Sequence, residues 1–306
     1  MDEEDSKYDG SESNDWKVKA LLCHPIKSCG GIELDSARID GSGIIWDRKF
    51  VVAEWTEPKT STRKAAQPQK AHWMFRTLRA PGYENLAKVK TDIWLRKGSD
   101  TEGLLVVRYP RVPAGVLAPL INLLMTLRLL PATTFFQLPL EAPPEKHDYP
   151  KEKVKLFDDN PVWLNYQRHV PKSLQTLVKA KNQVTLFRVD PAAHREVLEN
   201  APTPDQVGYQ PIVGAADSHP LSVQNLASVR AVGKELAKEF PHFLVRRLRP
   251  NIVVAGGKKF DEDDWQRLRI GEHEIYCSCH TTRCKLPCVD PDTAIRHPSQ
   301  PEQVSP

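Results

Sequence analysis

Short strand-like segments dominate this sequence and limit the folds that it can adopt. From Trp16 onward, Val18, Ala20 and Leu22 occupy every second position, the spacing of a strand with one face towards a core. Because such segments outnumber the helical ones, the pattern predicts a β-rich α+β protein, for which a barrel is one arrangement. Further candidate strands lie at residues 32–39, 44–52, 92–96, 104–108, 183–189, 251–254 and 270–276.

Two segments show helical signals. Ser222 precedes apolar residues at helical spacing and is predicted to be a helix N-cap. The most apolar stretch, residues 116–130, is interrupted by Pro119, Asn122 and Arg128. It is also shorter than the ~20 residues that a bilayer-spanning helix needs. We therefore expect a buried or amphipathic helix there, and no transmembrane segment.

Composition suggests where the chain divides. Residues 1–15 are acidic and polar, which predicts a disordered tail. The segment 57–81 resembles a long exposed loop, and the proline-rich segment 138–150 is the best domain boundary. The sequence thus predicts a β-rich first domain at 16–145 and a second domain at 146–306.

The formal charge of +4 conceals an asymmetry, because the first fifteen residues hold seven acids and one lysine. The remaining chain has 42 basic and 32 acidic residues, a net charge of about +10. Such a body suits a phosphate-bearing ligand or an acidic partner, and a merely solvated basic surface is the alternative. No reader motif for nucleic acid is present, so nucleic-acid binding is not expected.

The start of the chain lacks the apolar run of a secretory signal and the arginine-rich, acid-poor character of a mitochondrial presequence. The cysteines are clustered and resemble intracellular thiols more than a disulfide framework. We expect an intracellular protein, in the cytoplasm before other compartments, with mitochondrial association left open.

The cysteine cluster near the end of the chain is the first candidate for chemistry. Cys277, Cys279, Cys284 and Cys288 follow a spacing that lacks the paired knuckles of a zinc site, although an irregular zinc site stays open. Cys284 differs from the others because Arg283 precedes it and a rigid Asp-Pro-Asp-Thr turn follows. A neighbouring cation favours the thiolate, which is a nucleophile and a soft metal ligand. Buried structural thiols are the alternative interpretation for the other three.

Three further motifs place anion-binding groups beside strands. Lys27 and Ser28 lie in a glycine-bearing loop after the first strand, without full P-loop spacing. Arg48 lies in a strand-like run, and a surface salt bridge is its plainer interpretation. Arg249 and Asn251 flank a proline before another strand and offer a guanidinium fork and an amide. Each motif alone is weak evidence for a binding site, and the prediction depends on their joint occurrence.

Together and in this order, the motifs resemble those of the MOSC family, named for the C-terminal domain of molybdenum-cofactor sulfurase. More closely, the chain is similar to the mitochondrial amidoxime-reducing component group with its fungal and bacterial relatives. The resemblance covers about residues 17–297 and implies a MOSC β-barrel domain preceded by a β-rich MOSC N-terminal domain. It rests on residues 25–29, 46–48, 249–252, 262–265, 270–271, 283–284 and 289–293.

The resemblance also implies a site. Cys284 would ligate molybdenum, and a set of basic and polar residues would hold the pterin of the molybdenum cofactor (molybdopterin). Ala294 stands where the family usually has glycine, and Cys288 stands where it usually has another residue. Asp290 and Asp292 are expected either to shape the loop or to contact substrate. The implied cofactor-binding residues are Lys27, Ser28, Arg48, Ser222, Arg249, Asn251, Thr282 and Arg283.

The function that follows from the resemblance is a molybdenum-cofactor-dependent oxidoreductase. It would reduce N-hydroxylated small molecules such as amidoximes, with electrons from a cytochrome b5-type partner. Two alternatives stay open. The chain could be a cofactor carrier or a sulfur carrier with a persulfide on Cys284, or it could be a non-catalytic MOSC scaffold or zinc-stabilised binding protein.

Overall fold

The computed structural model describes residues 15–58, 70–143, 149–237, 243–281 and 284–299, and strands dominate them. The predicted β-rich α+β class is confirmed. The strands are β1 (Lys17–Cys23), β2 (Ile32–Leu34), β3 (Ile39–Asp40), β4 (Gly43–Ile44), β5 (Phe50–Thr56), β6 (His72–Phe75), β7 (Lys90–Leu95), β8 (Gly103–Pro110), β9 (Thr133–Pro139), β10 (Lys151–Lys155), β11 (Val162–Asn165), β12 (Val184–Arg188), β13 (Arg195–Glu196), β14 (Ile212–Val213), β15 (Val223–Asn225), β16 (Ile252–Ala255), β17 (Arg267–Ile270) and β18 (His273–Tyr276). The helices are α1 (Ala118–Thr126), α2 (Lys172–Leu177), α3 (Pro204–Val207) and α4 (Leu226–Leu236), with 3-10 turns at Glu84–Lys88, Gln167–His169, Val245–Arg247 and Asp261–Asp264.

A closed barrel forms in the order β10-β11-β12-β5-β6. Alternate residues of its central strand face opposite ways, because side chains of a strand point to its two faces in turn. Val51 and Ala53 of β5 pack inside the barrel with Trp163. Phe50 and Val52 pack on its outer side in a larger core. The barrel combines strands from both sides of residue 145. The division of the chain into two domains at that residue stays a prediction.

A second sheet joins distant parts of the chain in the order β15-β16-β1-β2. Strand β1 pairs antiparallel with β16, from Lys17 opposite Ala255 to Leu21 opposite Ile252. The backbone N–H of Leu22 also donates to the carbonyl of Asn251 at 2.7 Å. The loop after β1 and the turn before β16 therefore lie side by side.

A third sheet has the order β7-β8-β9, and α1 lies in the connection between β8 and β9. Leu105 of β8 and Leu138 of β9 are buried in the larger core. The predicted helix in the apolar stretch is present as α1. Of the two predicted forms, buried or amphipathic, the buried form is wrong, because none of the residues of α1 is buried. Within the described ranges, no helix has both the length and the apolar character that crossing a membrane requires.

Several local predictions are corrected by tertiary contacts. Ser222 is not a helix cap: β15 intervenes, and the Asn225 side chain caps α4 by accepting from the Ala227 N–H at 3.0 Å. The predicted strand at 44–52 is interrupted by a turn before β5, and the predicted loop at 57–81 contains β6. The predicted strand at 270–276 is the turn and second arm of the hairpin β17-β18.

Candidate functional site

Three of the predicted site residues share an unusual backbone conformation. Ser28, Arg48 and Arg249 have φ values of 69°, 49° and 54°, in the left-handed region that residues with a side chain rarely adopt. Each residue lies in a turn at the end of a strand of the barrel or of the second sheet. Such conformations persist where the surrounding structure enforces them, and they cluster at functional sites. Their convergence marks this region as the candidate site.

Arg48 and Arg249 meet across the β1–β16 junction. The Arg48 Nη2 donates to the backbone carbonyl of Arg249 at 2.9 Å, and its Nη1 donates to the Asn251 Oδ1 at 3.3 Å. Arg48 also pairs with the buried Asp47 carboxylate, which accepts the backbone N–H of His24 at 2.7 Å. The guanidinium is thus fixed by its neighbour Asp47 and by the distant turn at Arg249 and Asn251.

Asn251 is the hub of this network and is 1% exposed. Its Oδ1 accepts from the Ser222 backbone N–H at 3.2 Å and from the Ser222 hydroxyl at 3.3 Å, besides Arg48. Its Nδ2 donates to the Leu22 carbonyl at 3.2 Å. The orientation of the amide is therefore set by the donors around it, and Ser222 supports Asn251 instead of a helix.

Lys27 is buried and holds its ammonium against a carboxylate that the sequence analysis missed. Its Nζ donates to the Ala215 carbonyl at 2.5 Å and to the Asp217 Oδ1 at 2.5 Å. Burial lowers the pKa of Lys27 to about 8, and the Asp217 charge opposes this only in part. Burial acts to raise the pKa of Asp217, but the charges of Lys27 and Arg79 outweigh it and lower that pKa to about 2. Arg79 completes the cluster through an ion pair with Asp217.

Ser28 is buried, and its hydroxyl oxygen accepts the backbone N–H of Leu78 at 3.2 Å. The hydroxyl therefore ties the loop after β1 to residue 78 across the molecule.

A small pocket of about 80 Å³, open to solvent, lies beside Arg249. Its lining is basic and apolar and contains no carboxylate. Two acids outside the lining pair with its cations: Asp290 pairs with Arg247, and the Asp292 carboxylate accepts from Arg246 at 2.9 Å and from Lys90 at 3.4 Å. Four basic residues in the lining against these two carboxylates leave an excess of positive charge, which favours an anion. Its lining residues are Leu22, His24, Gly30, Gly31, Leu78, Ala87, Lys90, Arg246, Arg247, Arg249, Leu286, Val289 and Pro291.

The guanidinium of Arg249 stands out in the wall of this pocket. The Arg249 Nη2 is buried and has no hydrogen-bond partner among the described residues. Burial and the nearby charge of Arg48 lower the pKa of Arg249 to about 10. A buried cation without an acceptor is costly, because its hydration is lost and not replaced. An anionic ligand would supply the missing acceptor.

Cys284 carries a free thiol and is half-buried, two residues before the pocket-lining Leu286. Thr282 and Arg283, also predicted for the site, lie outside the described residues. The buried-thiol interpretation agrees with Cys288 and is wrong for Cys279, which is exposed with its sulfur 3.7 Å from the His219 Nδ1.

Cys277 is half-buried. Among the residues that the structure describes, no group of three or more His, Cys, Asp or Glu side chains is arranged to hold a metal ion.

The turn after Cys288 is organised by Asp290. The Asp290 Oδ1 accepts from the backbone N–H groups of Asp292 at 3.0 Å and Thr293 at 2.7 Å, and from the Thr293 hydroxyl at 2.9 Å. Ala294 follows with a φ of 59°, a left-handed conformation that glycine adopts without steric cost. The turn keeps this conformation although alanine occupies the position.

Sequence reasoning missed several basic residues of the pocket, notably Lys90, Arg246 and Arg247. The run Arg246-Arg247-Leu248-Arg249 was a detectable signal, since three arginines beside one motif are unusual for a strand entry. Lys90 gave no such signal, because only the fold brings the start of β7 to this wall.

Fold and site together define a class: a β-barrel protein with a basic pocket between the loop after β1 and the turn before β16. The comparisons give the family. The MOSC N-terminal beta barrel domain family matches residues 16–88, and the MOSC domain family matches residues 210–305. The chain is a MOSC-domain protein, as the resemblance predicted.

Relatives with assigned names match parts of the chain. Mitochondrial amidoxime-reducing component 1 of Mus musculus is 32% identical over 111 residues, which are 36% of this chain and 30% of the relative. Mitochondrial amidoxime reducing component 2 of Macaca fascicularis is 37% identical over 100 residues, 33% of this chain and 28% of the relative. Molybdenum cofactor sulfurase of Caenorhabditis elegans is 39% identical over 80 residues, 26% of this chain and 11% of the relative. The matched region thus spans less than a third of each of these three relatives.

Proposed function

We propose that this chain is a molybdenum-cofactor-dependent oxidoreductase that reduces N-hydroxylated small molecules. The observation that supports it best is the basic pocket with no carboxylate in its lining, beside which the buried Arg249 Nη2 has no hydrogen-bond partner within the described part of the chain. The pterin of the cofactor carries a phosphate, and a guanidinium fork is suited to bind it. The names of the amidoxime-reducing relatives supply the substrate class.

The donor set fits the cofactor in two respects. A thiolate is a soft ligand of the kind that molybdenum accepts, and Cys284 is a half-buried free thiol near the pocket in sequence. Arg249 supplies positive charge for a phosphate, and Lys90 and Arg246 add to it although they share the Asp292 carboxylate. In the proposal Cys284 is the metal ligand, and Thr282 and Arg283 add further contacts.

The rest of the predicted set orients and does not react. Arg48 and Ser222 hold the Asn251 amide in one orientation, which fixes the turn that carries the pocket residue Arg249. Lys27 is bound to Asp217 and Ala215, so its charge acts on a phosphate through space unless the ligand displaces a partner.

When bound, the molybdenum cofactor would supply the two-electron chemistry that removes the oxygen of an N–OH group. The cytochrome b5-type electron donor that the resemblance implies is part of the proposal.

The test compares the full-length wild type with Cys284→Ala and, as a matched control, Cys277→Ala. Molybdenum is measured by mass spectrometry of the metal, and the pterin by fluorescence after oxidation. Benzamidoxime reduction is assayed with reduced benzyl viologen as the electron donor. We expect Cys284→Ala to lose molybdenum and activity while retaining pterin, and Cys277→Ala to match the wild type.

Unchanged molybdenum in Cys284→Ala would remove the ligand assignment. A cofactor-replete wild type without reductase activity would remove the oxidoreductase.

A carrier role is the second candidate, supported by the match to molybdenum cofactor sulfurase. Intact-protein mass spectrometry distinguishes it, since a persulfide adds one sulfur atom to the wild type and none to Cys284→Ala. A sulfur adduct without molybdenum would favour the carrier over the oxidoreductase.

A further inference from the structure

Helix α1 turns its leucines towards solvent. Leu117, Leu120, Leu123 and Leu127 are between 53% and 60% exposed, and Val116 before the helix is 95% exposed. Their spacing of three to four residues aligns them along one side of the helix. Single exposed leucines are ordinary on a protein surface, but a contiguous apolar stripe marks a contact with something else.

The charged residues of the sequence segment that contains α1 all have the same sign. Residues 103–140 contain no aspartate or glutamate, and their charged residues are Arg108, Arg111 and Arg128. Arg108 pairs with Asp92 on the neighbouring strand at 2.9 Å. In sequence, Arg111 precedes the leucine stripe and Arg128 follows it directly, and the Arg111 Nε donates to the Pro131 carbonyl at 3.2 Å, so Arg111 lies near the end of the connection that carries Arg128. An apolar face bordered by arginines matches a surface with negative groups above a hydrocarbon layer.

The backbone at the end of α1 is closed by its own hydrogen bonds. Arg128, with a φ of 57°, donates its N–H to the Met125 carbonyl at 3.0 Å, and the Leu129 N–H donates to the Leu124 carbonyl at 2.9 Å. The Thr126 hydroxyl donates to the Asn122 carbonyl at 2.9 Å. Every unpaired polar group costs free energy in an apolar medium. Because its backbone groups are paired, the C-terminal end of α1 is suited to contact such a medium.

We infer that α1 docks on the surface of an anionic lipid bilayer, with its leucines below the headgroups and Arg111 and Arg128 at lipid phosphates. A nine-residue helix is too short to span, so it lies in the interface. A two-fold contact with a second copy fits less well. It would bring arginines of the two copies onto one interface, without a carboxylate in the segment to pair with them.

The test is vesicle flotation of the full chain. One vesicle preparation contains phosphatidylcholine alone, and the other contains equal amounts of phosphatidylcholine and phosphatidylserine. Leu120→Ser/Leu123→Ser removes the centre of the stripe. Leu198→Ser removes a leucine that is 75% exposed and lies outside α1, and it is the matched control. Because all these side chains are exposed, the variants should fold, which near-ultraviolet circular dichroism checks.

We expect the wild type to float with the phosphatidylserine vesicles and the double variant to bind them at least about tenfold more weakly. Leu198→Ser should bind as the wild type does, and Arg111→Gln/Arg128→Gln should lose the preference for anionic vesicles.

Three results would overturn the inference. The wild type could ignore both vesicle types, or the double variant could bind as strongly as the wild type. Alternatively, sedimentation could reveal a dimer that the double variant abolishes, with no vesicle binding by either protein. The last result would assign the stripe to a second copy. None of these outcomes bears on the cofactor, which is measured separately.

Discussion

Arg48, Arg249 and Asn251 form an arginine–asparagine cluster. This cluster and helix α1 reverse the usual distribution of polar and apolar groups in opposite ways. The cluster buries charged and amide side chains, whereas α1 exposes leucines. Arg48 and Arg128 illustrate the contrast, because both adopt left-handed backbone conformations. Arg48 is held by a buried carboxylate and an amide, whereas Arg128 ends an exposed helix. Neither arrangement is favourable for a fold alone, which is why we propose a ligand for each: an anion beside the cluster and the surface of an anionic lipid bilayer at α1.

The sharpest test of this contrast replaces each of the two arginines by methionine in a separate variant. Arg48→Met leaves the Asp47 carboxylate buried without its cation, so we expect a loss of about 3–5 kcal/mol in the free energy of unfolding. Arg128→Met should change it by less than about 0.5 kcal/mol. Urea denaturation measures both. Equal effects would mean that the cluster is no more demanding than the surface.

Two leucines of the same hairpin test the apolar side of the comparison. Leu105 is fully buried in β8, and Leu105→Ala should cost about 2–5 kcal/mol through lost contacts and the cavity left behind. Leu123→Ala in α1 should stay within about 0.5 kcal/mol of the wild type. Thermal unfolding compares the two variants. A large loss for Leu123→Ala would show that α1 packs against the body of the protein.

A pair of asparagines gives a smaller effect. Asn251→Ala removes an acceptor used by Arg48 and Ser222, so we expect a loss of about 2 kcal/mol. Asn122→Ala on α1 removes an exposed amide and should be neutral within about 0.5 kcal/mol, because the Thr126 hydroxyl bonds the backbone carbonyl there. Guanidinium denaturation of both variants measures the difference. If the two variants were equally stable, Asn251 would not be the hub of the network.

The pH dependence of Asp217 gives the smallest expected effect, because its carboxylate is 41% exposed and salt screens it in part. Its folded pKa of about 2 lies below the ordinary 3.8, so its contribution to stability is present above pH 3.8 and is lost as the pH falls through 2. Asp217→Asn should therefore flatten the loss of stability on acidification, measured by urea denaturation across this range. Asp100→Asn, which removes an exposed surface carboxylate, is the matched control. An unchanged acid slope in Asp217→Asn would contradict the assignment.

The sequence allowed the site to be predicted where motifs were local. Lys27, Arg48, Arg249 and Asn251 were selected from short motifs, and the last three lie within one hydrogen-bonded network. The role of Ser222 could not be predicted, because its apolar neighbours have the spacing of a helix while its partner Asn251 is 29 residues away. Local pattern alone gave no means of choosing between the two.

Asp217 shows why other parts of the site were missed. It is 190 residues from Lys27 in sequence and 138 from Arg79, and no local pattern links them. The strand β6 was likewise hidden in a segment of polar composition, since its place in the barrel depends on pairing with β5 and β10.

The sequence by itself determined the β-rich class, the family resemblance and the residue types of the site, because alternating apolar residues and short motifs are local properties. Only the tertiary structure decided that the loop after β1 meets the turn before β16, that Arg249 has a buried nitrogen without an acceptor, and that α1 is exposed. These features depend on which distant strands pair and on what covers each side chain. Such contacts follow from packing of the whole chain and leave little trace in any one segment.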